Sequence, residues 1–143
     1  MTKTTIPVWI AGGVFAAALT TAVVGAQATR SVNEGVFTAD QATKGEAVYK
    51  EQCAACHGDN LEGSGPMPPL AGKDFLSNWQ GKTVGDLFEK TQTSMPATAP
   101  GTLTPEQAAQ VVSYLLSQGK YPAGATALPD KMDDLKISID APK

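Results

Sequence analysis

The sequence predicts an all-α domain, on three observations. Apolar residues recur at i, i+3, i+4 spacing in the stretches that open near Thr38, Thr83 and Thr104. Two of these openings carry capping signals: Thr83 with Asp86 three residues on, and Thr104-Pro105 with Gln107. Between the stretches lie Gly- and Pro-rich runs that no helix or strand survives.

Residues 1–28 read as an export segment outside the fold. Lys3 is the one charge there, Val8 to Gly25 is apolar, and Ala26-Gln27-Ala28 supplies a small-x-small cleavage site before Thr29. An uncleaved membrane anchor is the alternative, because the run approaches the ~18–20 residues that span a bilayer. Residues 29–37 read as a linker, 38–119 as the domain and 120–143 as an extended C-terminal tail.

The first helix runs from Thr38 toward two cysteines, with Gly45, Val48, Tyr49, Gln52, Cys53 and Cys56 along one stripe. Gly45 inside a helix costs about 0.5–1 kcal/mol relative to Ala, which close approach by another helix would explain. Gly58 to Gly72 then reads as a loop wrapping something, with Gly63, Gly65, Pro66, Pro68 and Pro69 inside it. Lys73 to Gln80 suggests a short helical turn around Phe75, Leu76 and Trp79. In the next helix Val84, Leu87, Phe88 and Thr91 face inward. After an irregular stretch from Thr93 to Gly101, Ala108, Val111, Val112 and Leu115 line the last helix, which Gly119 stops. Lys136-Ile137-Ser138-Ile139 alternates like an edge strand without an evident partner.

Chemistry concentrates at Cys53-Ala54-Ala55-Cys56-His57, a Cys-x-x-Cys-His attachment signal for a c-type haem. On a helix the two thiols stand on one face, roughly 5–6 Å apart, placed to form thioethers with two porphyrin vinyl groups. His57 then offers the proximal imidazole. A structural zinc site usually needs four ligands, and the chain has two Cys and one His. A thioredoxin-like redox pair would need a βαβ setting, which a helix followed by a Gly/Pro loop is not.

The second axial position must come from elsewhere. There is no second His, so thioether sulfur remains, from Met67, Met95 or Met132. Met67 follows His57 by ten residues, a tight route to the far face of a porphyrin, and Met132 sits in the polar tail. Met95 comes 38 residues after His57, beyond a helix and beside Pro96. His57/Met95 ligation would raise the reduction potential and fill both axial positions, leaving a centre that passes single electrons. Without Met95 on the iron, a five-coordinate haem would bind gas or peroxide.

Composition agrees without deciding. Loss of residues 1–28 leaves 115 of 143, thin in large apolar side chains for one domain, and a covalently held porphyrin would add buried surface. Removing Lys3 from 11 basic residues leaves 10 against 14 acidic, a net charge of −4. No basic cluster tracks a phosphate backbone, which argues against nucleic acid. A mildly acidic surface steers toward a basic docking patch.

With these residues in view, the chain resembles class I monohaem c-type cytochromes over roughly Thr38 to Gly119. The resemblance rests on Cys53 to His57, then Pro68-Pro69-Leu70-Ala71-Gly72, then Met95-Pro96, then the helix holding Val111 and Tyr114. It implies a small cytochrome c fold of three to five helices around one covalently bound haem c, and a non-enzymatic electron carrier of the periplasm. Its partners would be a dehydrogenase donor and an oxidase or cytochrome acceptor, with a membrane contact only through an uncleaved N-terminal segment. It further implies that the first and last helices cross at Gly45 and Tyr49 against Val111 and Tyr114. It also implies that the Pro68 carbonyl accepts from His57 Nδ1–H, and that Trp79 either donates to a propionate or fills core. Ser94 to Pro105 and Tyr121 to Pro129 look similar to periplasmic cytochromes that accompany quinoprotein or molybdenum dehydrogenases. In those terms the tail would strap the haem crevice or dock to a partner enzyme.

Overall fold

The computed structural model describes Met1 and residues 30–143. The expected export segment and its cleavage site lie outside the described residues. Among the described residues five α-helices carry the fold: α1 (Ala39–Gln52), α2 (Ala54–His57), α3 (Gly72–Trp79), α4 (Val84–Ser94) and α5 (Pro105–Gln118). Two short strands, β1 (Arg30–Ser31) and β2 (Ile137–Ser138), complete it. The all-α expectation holds.

Local chemistry starts each long helix. The Thr38 hydroxyl accepts from the Gln41 N–H at 3.2 Å and opens α1. Thr83 with Asp86, and Thr104 with Gln107, form full reciprocal capping boxes on α4 and α5, with Pro105 in the first turn of α5. Such caps contribute about 1 kcal/mol each. At the end of α5, Gly119 keeps an ordinary φ of −70°, and Lys120 takes the left-handed conformation at φ 65°. A Cβ on Gly119 would stand 2.9 Å from the Tyr121 ring. The glycine there makes room for an aromatic side chain that folds back.

The main helical contact is α1 across α5, and Gly45 sets its closeness. A Cβ at Gly45 would lie 1.8 Å from the Gln110 carbonyl oxygen and 3.0 Å from Tyr114 Cβ. Backbone therefore rests on backbone, and the helical glycine has its reason. Gly45→Ala must force the two helices apart, because the obstacle is main chain rather than a flexible side-chain end. Overpacking of this kind costs about 3 kcal/mol or more, so a fall in melting temperature above roughly 10 °C is expected. Calorimetry checks it.

The flanking segments depart from expectation. Val32, Val36 and Phe37, read as linker, are buried in the same core as Leu87, Phe88, Val112 and Leu116. From the segment read as a tail, Leu128, Leu135, Ile137 and Ile139 join them. The partner missing from the Lys136–Ile139 alternation is β1: the strands run parallel, with Arg30 opposite Ile137 and Ser31 opposite Ser138. Side-chain bonds fasten the two ends further. Gln41 both donates to and accepts from the Leu128 backbone, at 2.9 and 2.7 Å, and Tyr121 donates to the Asp140 carbonyl at 2.6 Å. Outside the Lys136–Ile139 alternation, single apolar residues scattered among polar ones carry no periodicity, which is why the rest of these segments read as linker and tail.

Two carboxylates in this framework are held below their usual range. Asp86 accepts from the Thr83 N–H and hydroxyl, and Asp140 accepts from the hydroxyls of Ser31 and Ser138 at 2.5 and 2.7 Å. A lowered folded-state pKa stabilises above the unfolded carboxylate value near 3.9 and is lost as pH falls through the folded value. The stability gap between the wild type and Asp140→Asn should therefore be present at pH 7 and close below about pH 4. Urea midpoints at the two pH values measure it.

Candidate functional site

Cys53 ends α1, its N–H still donating to the Tyr49 carbonyl at 2.8 Å. With φ −125° and ψ −36° it breaks the helix, and the chain re-enters helix for the single turn of α2. The stripe therefore does not run unbroken through the motif. The local turn still brings Cys53, Cys56 and His57 together: the N–H groups of Cys56 and His57 both donate to the Cys53 carbonyl, at 3.1 and 3.0 Å.

Both cysteines are free thiols, Cys53 half-buried and Cys56 exposed. Burial first, and then the neighbouring Cys56, pushes the Cys53 thiol up to about 11. Reactive Cys-x-x-Cys pairs are driven the other way, so a redox dithiol does not fit. Among the described residues no group of three or more His, Cys, Asp or Glu is placed to hold a metal ion.

His57 is 7% exposed. Its Nδ1–H donates to the Pro68 carbonyl at 2.9 Å, as the resemblance implied. A carbonyl can only accept, so a proton sits on Nδ1, and in the neutral ring the lone pair is on Nε2. The loop between them is bonded along its length. The Gly63 N–H donates to the His57 carbonyl at 2.8 Å, Ser64 and Met67 exchange bonds at 3.1 and 2.9 Å, and the Leu70 N–H donates to Leu61 at 2.8 Å. Leu61 takes φ 62° while 2% exposed, packed with Tyr49, Val111 and Leu115. A left-handed leucine costs about 1–2 kcal/mol and is held by that burial.

Met95 comes from another element. It caps the C-terminus of α4, its N–H donating to Thr91 at 3.3 Å, and a cis peptide links it to Pro96. Its side chain is half-buried, whereas Met67 and Met132 are 37% and 42% exposed. Trp79 packs on the main core, its ring 6.2 Å from Phe75 and under the Lys82 ammonium at 4.8 Å. Core packing accounts for it.

Sequence reasoning missed three contributors: the Tyr49 hydroxyl, Gly63 and Leu61. Tyr49 reads as core, and it is, with its ring 5.3 Å from Tyr114. Its hydroxyl also donates to the Gly58 carbonyl at 2.6 Å, directly after His57. The Gly/Pro richness of the loop marks irregularity but does not say which glycine faces which backbone. Elsewhere, a groove of about 290 Å³ between Phe37, Ala42, Tyr114 and Tyr121 includes none of Cys53, Cys56, His57 or Met95.

The residues present fit a c-type haem. Two unpaired thiols lie on one turn, and beside them an imidazole has Nδ1 bonded to a carbonyl, which leaves Nε2 as the nitrogen that would bind iron.

Residues 40–115 match the family described as cytochrome c oxidase, cbb3-type, subunit III. A thiosulfate dehydrogenase of Stutzerimonas stutzeri (strain A1501) is 36% identical over 81 residues, 52% of this chain and 26% of that protein. Cytochrome c of Nigella damascena is 28% identical over 54% of this chain and 89% of its own length. The cbb3-type oxidase subunit CcoP of Azospirillum brasilense is 49% identical over 52 residues, 32% of this chain and 18% of that one. The chain thus spans about a quarter or less of two of these relatives. Among solved structures, the sulfane dehydrogenase SoxCD from Paracoccus pantotrophus aligns with a TM-score of 0.47 and 24% identity, over 68% of this chain and 54% of that one. The chain belongs to the family described as cytochrome c oxidase, cbb3-type, subunit III, a family of cytochrome c domains whose cofactor is a covalently attached haem c.

Proposed function

We propose that this protein is a periplasmic one-electron carrier, with haem c tethered by Cys53 and Cys56 and its iron ligated by His57 and Met95. Electrons would come from a dehydrogenase and leave to a terminal oxidase or another cytochrome. The observation that carries the reading is the 2.9 Å bond from His57 Nδ1–H to the Pro68 carbonyl. That bond presents Nε2 as a fixed, electron-rich donor, which is what an axial ligand needs. When bound, the haem supplies a centre that gains and loses one electron.

The chain's own residues do the rest. Pro68 orients the imidazole and raises its basicity. The thiols of Cys53 and Cys56 hold the cofactor in register with His57. The Met95 sulfur would be the second protein ligand to the iron and would keep exogenous ligands out. Partner contacts should be small and short-lived, below about 1,200 Å² as for redox encounters generally. Among the described residues no helix is long and apolar enough to cross a membrane.

Intact mass of the protein recovered from a haem-ligating host tests this directly. The wild type should show loss of residues 1–28 and gain of one porphyrin, and Cys53→Ser/Cys56→Ser should carry none covalently. Colourless wild-type protein would end the proposal.

A second reading is a tight cytochrome subunit of one quinoprotein or molybdenum dehydrogenase. The match to one portion of a longer thiosulfate dehydrogenase supports the dehydrogenase part of this reading and does not bear on the cofactor class. A dock built on residues 120–143 would have to use their outer side, since Leu128, Leu135, Ile137 and Ile139 are buried. Co-elution of the full chain with its donor at submicromolar concentration would favour this subunit. A five-coordinate gas- or peroxide-binding haem is separated from both by carbon monoxide binding to the ferrous wild type.

A further inference from the structure

We propose that Tyr49 is a positioning residue for the axial imidazole: through the Gly58 carbonyl, its hydroxyl holds the loop that delivers Pro68 to His57. This rests on His57 being the iron ligand. Tyr49 is fully buried, and its ring alone satisfies the contact with Tyr114. Phenylalanine would fill that volume equally well, so the hydroxyl needs a separate reason. Its acceptor, Gly58, caps the C-terminus of α2, where carbonyls have lost their helical donors.

From Gly58 the restraint passes on by direct contact. Tyr49 holds Gly58 at 2.6 Å, and six residues after His57 the chain has turned so that the Gly63 N–H holds the His57 carbonyl at 2.8 Å. Gly63 has φ 76°, and a Cβ there would stand 2.6 Å from the Met67 oxygen and 2.9 Å from the Pro68 carbonyl carbon. The strand bearing the acceptor thus lies flat on Gly63. Movement of Gly58 to Gly63 must move Pro68, and Pro68 receives the Nδ1–H at 2.9 Å. The strength of that bond sets the basicity of Nε2, and second-shell hydrogen bonding is one lever on a haem potential. Weakening the bond makes the ligand a poorer donor and disfavours the ferric state. The potential then moves in the positive direction.

The experiment compares wild type, Tyr49→Phe and Tyr114→Phe as holoproteins from a haem-ligating host. Intact mass first establishes one porphyrin on each. Two readouts follow: the reduction potential, and solvent exchange of the His57 Nδ1–H by NMR in the ferrous state. Tyr49→Phe should speed that exchange tenfold or more and shift the potential positive, while Tyr114→Phe should change neither. A Tyr49→Phe protein that melts earlier but keeps wild-type exchange and potential would overturn the proposal, leaving the hydroxyl a purely structural role. If Tyr49→Phe does not accumulate, Gly63→Ala reads the same coupling, with the same two shifts expected and their absence equally fatal. Wild-type protein without a porphyrin would instead remove the ligand reading. Nδ1–H exchange in that colourless protein would still report whether Tyr49 controls the Pro68 bond.

Discussion

Deleting residues 128–143 is expected to leave a chain that does not fold. Leu128, Leu135, Ile137 and Ile139 are each 3% exposed or less and sit in the core with Val84, Leu87 and Phe88. Burying each contributes about 1.5–3 kcal/mol, roughly 6–12 kcal/mol together, an upper figure because unfolded chains are partly compact. A domain of this size has a net stability of only about 5–15 kcal/mol. The deletion also strips Arg30–Ser31 of its strand partner, Gln41 of its paired bonds to Leu128, and the Tyr121 hydroxyl of its Asp140 acceptor. Circular dichroism should show lost helix and no cooperative melt, while removal of Pro142 and Lys143 alone should leave a folded protein. A truncated chain with full helical content would show that the tail merely rests on the domain. The same fragility makes truncation a poor test of partner docking, since it removes the core along with any dock.

Met95→Ala is expected to change the chemistry while leaving the fold in place. If Met95 fills the second axial position, its loss opens that position, and the ferrous protein should bind carbon monoxide at neutral pH. The reduction potential should fall, because thioether ligation favours the ferrous state. A fall on the order of 100 mV or more is in keeping with the range that axial ligands command. Met67→Ala is the control, since Met67 is 37% exposed in the loop after the motif, and it should bind no carbon monoxide. Unchanged potential and no carbon monoxide binding in Met95→Ala would remove Met95 from the iron.

Much of the helical framework was legible because its determinants are local. Thr83 finds Asp86 and Thr104 finds Gln107 three residues on, so spacing alone announces both helices. The Cys53 to His57 motif is legible for the same reason: one turn of chain holds every group it needs. Gly45 was legible as a question, and the Gln110 carbonyl supplies the answer. The Pro68 acceptor was implied by the resemblance, since nothing in the spacing of residues 57 and 68 points a carbonyl at an imidazole. Leu61 gave no sign at all. A leucine in the left-handed region is disfavoured by its own sterics, so only its burial among Tyr49, Val111 and Leu115 places it there.

The sequence by itself determined the helical class, the starts of α4 and α5, and the thiol–imidazole chemistry. Each is written in residues within a turn or two of one another, where chain connectivity already supplies the proximity. Tertiary structure decided that both flanking segments belong to the core, that β1 and β2 pair, and that Tyr49 reaches Gly58. Those contacts join groups as far apart as Ser31 and Asp140, 109 residues along the chain. Their partners are chosen by shape and burial in the finished fold, and no local pattern of apolar residues encodes that choice.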